Sequence, residues 1–179
     1  KVEDPQTVQH VADRLPEGMA IWAMIETPRG VACVENIAMS HSRLEVLVMG
    51  TSDLAKELRI PHRSDRLGFL YSLERCVLAA RLAGIDIIDG VHLNLGDIDG
   101  FLSVCEQGRD LGFDGKSLIH PDQIAVANTV FAPADADIEK ALRILDAWRE
   151  AEARNSGVVV LDGKLIENLH VAEAERLLQ

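Results

Sequence analysis

Apolar and polar positions along the 179-residue chain follow two periods in turn. Nearly unbroken apolar runs of strand length occupy residues 19–25 (Met-Ala-Ile-Trp-Ala-Met-Ile) and 45–49 (Glu-Val-Leu-Val-Met), as expected for strands buried on both faces. The first run ends at Glu26-Thr27-Pro28, where the proline removes a ladder donor. The second stops at Gly50-Thr51-Ser52-Asp53, a turn that leads into a helix-cap sequence. Residues 85–93 and 113–119 supply two more apolar stretches, each preceded by a glycine, Gly84 or Gly112, where a helix C-terminus needs a left-handed residue. Four strands are predicted.

Between the strands the apolar residues recur at three and four. One set is Val31, Val34, Ile37 and Ala38, and another is Leu67, Leu70, Tyr71, Val77, Leu78 and Leu82. Residues 135–154 carry Ile138, Ala141, Leu142, Leu145 and Trp148 on one stripe, an amphipathic helix. Strands alternating with helices imply parallel βα units. Residues 158–161 and 164–166, joined by Asp162-Gly163, read as a small hairpin, and residues 169–178 as a closing helix. An open doubly wound sheet and a (β/α)8 barrel both satisfy the repeat. The first requires a Gly-x-Gly-x-x-Gly after a strand, which the sequence lacks. A barrel takes roughly 250 residues and eight strands, so the expectation is the C-terminal half of one over residues 1–155, followed by a hairpin-helix tail over 156–179.

Composition narrows the class. Eighteen basic residues (Lys and Arg) against 29 acidic ones leave a formal charge of −11. The positive residues are scattered singly among carboxylates, as in Lys56–Glu57, Glu74–Arg75 and Arg149–Glu150, which argues against nucleic-acid binding. The chain is 47% hydrophobic but has no run near the roughly 18 apolar residues of a membrane span. Three cysteines (Cys33, Cys76, Cys105) at wide spacings and no leader sequence point to a reducing, cytoplasmic compartment. An aromatic content of 4% with abundant Ile, Leu, Val and Ala suits helices packed on a buried parallel sheet.

Glu26 and Asp53 each follow a buried strand, one βα unit apart, so both emerge at the C-terminal edge where barrels build their active sites. Two carboxylates there suit a hard divalent ion such as Mg2+. Equally, Asp53 could only cap a helix while Glu26 sits in a loop, and spacing leaves both readings open. Gly115-Lys116-Ser117 resembles the end of a phosphate loop, but Asp110 occupies the position of the first glycine, which excludes one. Lys116 reads by default as a snorkelling surface lysine, with an anionic partner as the alternative. Asp97, Asp99, Gly100 and Glu106 imitate a calcium loop whose first ligand would be Leu95, so the match is accidental. None of His10, His41, His62, His92, His120 and His170 has zinc-ligand spacing. His120-Pro121 reads equally well as a helix start. Neither Ser52 nor the cysteines stand in a nucleophile context.

Three ordered motifs resemble the HpcH/HpaI aldolase and citrate lyase β-subunit family. They are Met24-Ile25-Glu26-Thr27-Pro28-Arg29-Gly30-Val31, then Gly50-Thr51-Ser52-Asp53-Leu54, then the stretch from Gly112-Phe113-Asp114-Gly115-Lys116-Ser117 through Leu118-Ile119-His120-Pro121-Asp122-Gln123-Ile124. The closing hairpin from Gly157 to Ile166 and its helix are similar to the tail of the CoA-ester lyases in that family. The resemblance implies that Glu26 and Asp53 bind Mg2+, and that Glu26, Thr51 and Ser52 contact the substrate. It implies cleavage or formation of a 3-hydroxyacyl-CoA such as malyl-CoA or citramalyl-CoA, with a CoA thioester and glyoxylate or pyruvate as small-molecule partners. In the tail, Leu165-Ile166-Glu167 stands where the family has Met-Ile-Asp, so Glu167 is the expected acid or base, working across subunits of a homo-oligomer, a trimer or hexamer. The added methylene of glutamate changes a proton-transfer distance. The missing barrel half would hold an arginine that contacts the substrate carboxylate, so this chain alone is expected to be inactive. Two further readings are an aldolase acting on a CoA-free hydroxy-dioic acid and a non-catalytic half-barrel that covers its open sheet by association.

Overall fold

The computed structural model describes residues 1–154 and 158–178. In chain order the elements are α1 (Pro5–Ala12), β1 (Ile21–Ile25), α2 (Pro28–Ala32), α3 (Val34–Ala38), β2 (Leu44–Met49), α4 (Thr51–Leu58), α5 (Leu70–Ala83), β3 (Asp86–Asp89), α6 (Ile98–Leu111), β4 (Gly115–Lys116), a 3-10 turn (Pro121–Gln123), α7 (Ile124–Phe131), α8 (Asp135–Ala153), β5 (Val159–Leu161), β6 (Lys164–Ile166) and α9 (Asn168–Leu177). They fall into two compact units, Lys1–Phe131 and Ala132–Gln179. No helix among the described residues is long and apolar enough to cross a membrane.

The first unit is an α/β layer structure. Its four strands are all parallel and stand in the order β1-β2-β3-β4, so each crossover helix returns the chain to the adjacent position. Register assigns the faces. Ala23, Leu47 and Ile87 lie in one row across three strands, each essentially fully buried against the helices. Met24, Val48, Ile88 and Gly115 form the next row on the opposite face. That second face is open: Trp22, two residues before Met24, is 63% exposed. It lines a concavity of about 620 Å3 with Met24, Val48, Ile88, Ser117 and Phe131.

Local chemistry explains the helix starts. Asp4 Oδ1 accepts from Thr7 N at 2.8 Å and Pro5 stands at the first helical position of α1, an element the apolar pattern did not announce. Thr27, itself buried, accepts from Gly30 N at 3.0 Å ahead of Pro28 and opens α2. Gly84 (φ 69°) and Gly112 (φ 96°) close α5 and α6 in the left-handed region, where the sequence places them.

Three expectations are corrected by packing. The residues 31–38 stripe is two short helices, α2 and α3, broken at Cys33. The third and fourth strands shrink to Asp86–Asp89 and Gly115–Lys116, because the apolar residues beyond them enter loops at the sheet edge. Leu67, just before α5, and Tyr71, Leu78 and Leu82 on it face outward, while Ser72, Leu73, Cys76, Val77, Ala79 and Ala80 are buried. Small side chains let the helix approach the sheet closely, and the larger apolar stripe is left outside.

The second unit packs α8 against α9 and the hairpin around Ala141, Ile144, Ala151, Val159, Ile166 and Ala174. Leu142 of the expected stripe is exposed and Ile144 takes its place inside. Asp162 (φ 51°) and Gly163 (φ 75°) make the two-residue turn between the antiparallel β5 and β6, in the left-handed conformation that such hairpins require. Residues 155–157, including the expected boundary and Gly157, lie outside the described residues. The long helix α8, expected with the barrel half, packs within this unit.

Candidate metal centre and its buried support

Glu26 leaves β1 on the same side as Trp22 and Met24, at the C-terminal edge of the sheet. It is partly buried. Its side chain lies directly over Gly50, where a Cβ would come within 2.4 Å of Glu26 Cβ and 2.8 Å of Oε2. Gly50 N also donates to Ile25 O at 2.9 Å, which seats the start of α4 beside the end of β1. Only glycine leaves this carboxylate its space.

Thr51, Ser52 and Asp53 form the first turn of α4. Thr51 is buried, whereas Ser52 and Asp53 are exposed. Thr51 rests on Gly90, just past β3, where a Cβ would lie 2.4 Å from Thr51 Oγ1 and 2.5 Å from Cγ2. Glu26 and Asp53 are thus on adjacent βα units at one edge, and neither has a hydrogen-bond or ion-pair partner among the described residues. No group of three or more His, Cys, Asp or Glu side chains that could hold a metal occurs among the described residues. The donor set is two carboxylates. That fits Mg2+, which prefers oxygen and commonly takes one or two protein carboxylates with water and substrate oxygens.

Behind this edge lies an ion cluster that sequence reasoning did not find. Asp89, at the end of β3, is fully buried and accepts from Arg66 Nη1 through both oxygens (2.8 and 2.6 Å) and from Lys116 Nζ at 2.8 Å. Gly90 N donates to Asp89 Oδ1 at 2.8 Å, and Lys116 Nζ donates to Gly90 O at 2.6 Å. Arg66 Nε reaches Gln107 Oε1 at 2.6 Å. Gly108 gives Asp89 room, since a Cβ there would stand 2.9 Å from Oδ2. The default reading of Lys116 as a surface lysine is therefore wrong: its side chain is 0% exposed. Burial holds its pKa below the usual lysine value, against the opposing pull of the Asp89 carboxylate. The missed signal was Asp89 itself, a carboxylate inside an apolar run, which demands a buried cation. Its partners stand 23 and 27 residues away, and nothing local points to them.

A pocket of about 240 Å3 opens beside Thr51, lined also by His62, Arg66, Phe69, His92 and Asn94. The loop beneath it is tied down by buried Gln123, whose Nε2 donates to His92 O at 3.1 Å and whose Oε1 accepts from Ile119 N at 3.1 Å. His120 is a helix start, its Nδ1 accepting from Asp122 N at 3.3 Å. In the second unit Glu167 is exposed at the N-cap of α9, and its backbone N–H donates to His170 Nδ1 at 3.0 Å.

Residues 6–121, which contain both carboxylates, match the HpcH/HpaI aldolase/citrate lyase family. The chain belongs to this family. It is 49% identical over 178 residues to a (3S)-malyl-CoA thioesterase of Cereibacter sphaeroides, a match covering 99% of this chain and 62% of the relative. It is 37% identical over 157 residues to the citrate lyase β subunit of Haemophilus influenzae, covering 88% of this chain and 54% of that one. The chain thus spans about three fifths or less of the curated relatives it matches. Among solved structures of the family, CitE of Mycobacterium tuberculosis in complex with magnesium, acetoacetate and coenzyme A superposes with a TM-score of 0.76 at 26% identity, over 99% of this chain and 65% of that one.

Proposed function

We propose that this chain carries the Mg2+-binding half of a (β/α)8-barrel enzyme that acts on a malyl-CoA-type thioester. The observation that carries the reading is the unpartnered, partly buried Glu26 carboxylate, given its space by Gly50 and set one βα unit from Asp53 at the same sheet edge. The barrel reading is supported by four parallel strands in sequential order and by the open face at Trp22 and Met24, which further strands would cover.

Glu26 and Asp53 hold the ion in this reading, and Mg2+ bound there supplies Lewis-acid stabilisation to substrate oxygens. Thr51 and Ser52 border the same edge as substrate contacts, and the pocket beside Thr51 offers room for a polar part of the substrate. Glu167 is the proposed proton-transfer group, acting on the site of a neighbouring subunit of a homo-oligomer. Its place at the start of α9 fixes its backbone, which favours a defined position for the carboxylate.

The 49% identity to a (3S)-malyl-CoA thioesterase favours hydrolysis. Water oxygen then bonds to the thioester carbon, the C–S bond breaks, and malate and CoA thiol leave. The citrate lyase β relatives favour a second reading, carbon-carbon cleavage of malyl-CoA to acetyl-CoA and glyoxylate. Incubating the full-length protein with malyl-CoA and Mg2+, with chromatographic identification of products, separates the two. Malate with an equal amount of free thiol supports hydrolysis, acetyl-CoA with glyoxylate supports cleavage, and no turnover of malyl-CoA refutes the proposal. E26Q is expected to abolish whichever reaction occurs.

A further inference from the structure

The Gly115-Lys116-Ser117 segment has no role in the function proposed above, yet it delivers the most deeply buried cation of the first unit. Keeping an ammonium group at zero exposure carries a large desolvation cost. An apolar side chain of similar length would fill the same space without that cost. What it could not do is hold a carbonyl oxygen.

Lys116 Nζ holds the C=O of Gly90, and the Asp89 carboxylate holds the N–H of the same residue. Arg66, through both Asp89 oxygens, fixes the carboxylate in turn. Both polar groups of Gly90 are therefore anchored to a buried ion cluster at the exit of β3. Gly90 is the surface on which Thr51 sits, with no room for so much as a methyl group between them. Thr51 opens α4, two residues before Asp53, and Gly50 just before it lies under the side chain of Glu26. A continuous packed path thus runs from Lys116 and Asp89 through Gly90, Thr51 and Gly50 to Glu26, with Asp53 on the same helical turn.

From this path we propose that Lys116 and Asp89 are positioning residues for the metal carboxylates, setting the height and direction of the first turn of α4 against the end of β1. The inference rests on the reading of Glu26 and Asp53 as Mg2+ ligands. Metal–oxygen distances tolerate only about 0.2 Å, and loss of outer partners of metal ligands typically weakens affinity by about 10- to 100-fold. Relaxing Gly90 frees Thr51 and lets Asp53 drift from Glu26.

The test is Mg2+ binding to the full-length protein by titration calorimetry, comparing wild type, E26Q and K116M. The lysine-to-methionine change keeps the length of the side chain and leaves the Arg66–Asp89 pair balanced in charge. Wild type should bind, E26Q should lose binding, and K116M should bind on the order of tenfold more weakly while its circular dichroism stays native. Amide exchange at Gly90 and Thr51 should accelerate in K116M, and its turnover should recover at saturating Mg2+, which a general loss of folded protein would not allow. Binding lost in E26Q but unchanged in folded K116M overturns this inference and leaves the metal reading intact. No Mg2+ binding by wild type overturns both. Should K116M fail to fold, T51A, which removes the contact on Gly90 from the other side, must weaken Mg2+ binding by itself, and unchanged affinity there refutes the path.

Discussion

Replacing Asp89 by Asn removes the single anion from a cluster that holds two cations. Arg66 and Lys116 have side-chain exposures of 8% and 0%, so neither can turn to water for compensation without local opening. Removing one partner from a buried pair costs about 3–5 kcal/mol, mostly the penalty of the stranded charge. Asn still accepts one hydrogen bond, which places D89N towards the lower end of that range. At about 2–4 °C per kcal/mol for a chain of this size, the melting temperature should fall by about 6–20 °C. The loss should also depend on pH. Burial already lowers the Lys116 pKa from its ordinary 10.5, and Asp89 is the group that pulls it back up. Without Asp89 the folded-state value drops further, so between it and 10.5 the unfolded chain binds more protons than the folded one and stability rises with pH. The penalty that D89N adds through Lys116 is therefore largest below the variant's folded-state value and shrinks as pH rises towards 10.5, whereas the part due to Arg66 persists. Urea unfolding of wild type and D89N at pH 7 and 10 measures both terms. A loss below about 1 kcal/mol at pH 7, or one that does not diminish at pH 10, would refute the reasoning.

Two further expectations test the packing directly. L73A, at a fully buried position of α5, should cost about 2–5 kcal/mol, while L78A on the exposed stripe of the same helix should stay within about 0.5 kcal/mol; equal effects in urea melts would contradict the assigned faces. Burial pushes the Cys76 thiol up to about 12 and the Cys105 thiol to about 11, so iodoacetamide at pH 8 should modify partly exposed Cys33 first and reach the other two only on unfolding, as read by peptide mass spectrometry.

The strands and turns of this chain were legible where one local rule governs them. Short apolar runs marked β1 and β2 to within two residues at their starts, glycines at 84 and 112 closed α5 and α6, and Asp162-Gly163 formed the hairpin. Helix faces were less legible. On α5 two apolar stripes compete, and the one with smaller side chains faces the sheet because close approach buries more backbone and neighbouring surface than the longer leucines would permit. The limits of β3 and β4 depend on where neighbouring strands stop pairing, which no window of sequence contains.

The candidate site divides in the same way. Glu26 and Asp53 could be named from the sequence because Glu26 directly follows β1 and Asp53 lies in the first turn of the helix after β2, and a parallel βα repeat sends both to the same edge. Their motifs also carried the family resemblance, which the match over residues 6–121 bears out. The sequence by itself thus determined the layer architecture and placed the two candidate carboxylates at one edge of the sheet. Tertiary structure alone decided that Lys116 is buried, that Arg66 and Asp89 meet it, and that Gly50 and Gly90 are the seats of Glu26 and Thr51. Residue type and local period are properties of neighbours along the chain, whereas charge pairing and close approach are properties of neighbours in space. The Asp89 cluster joins residues 23 and 27 positions apart, and only folding brings them within hydrogen-bond distance.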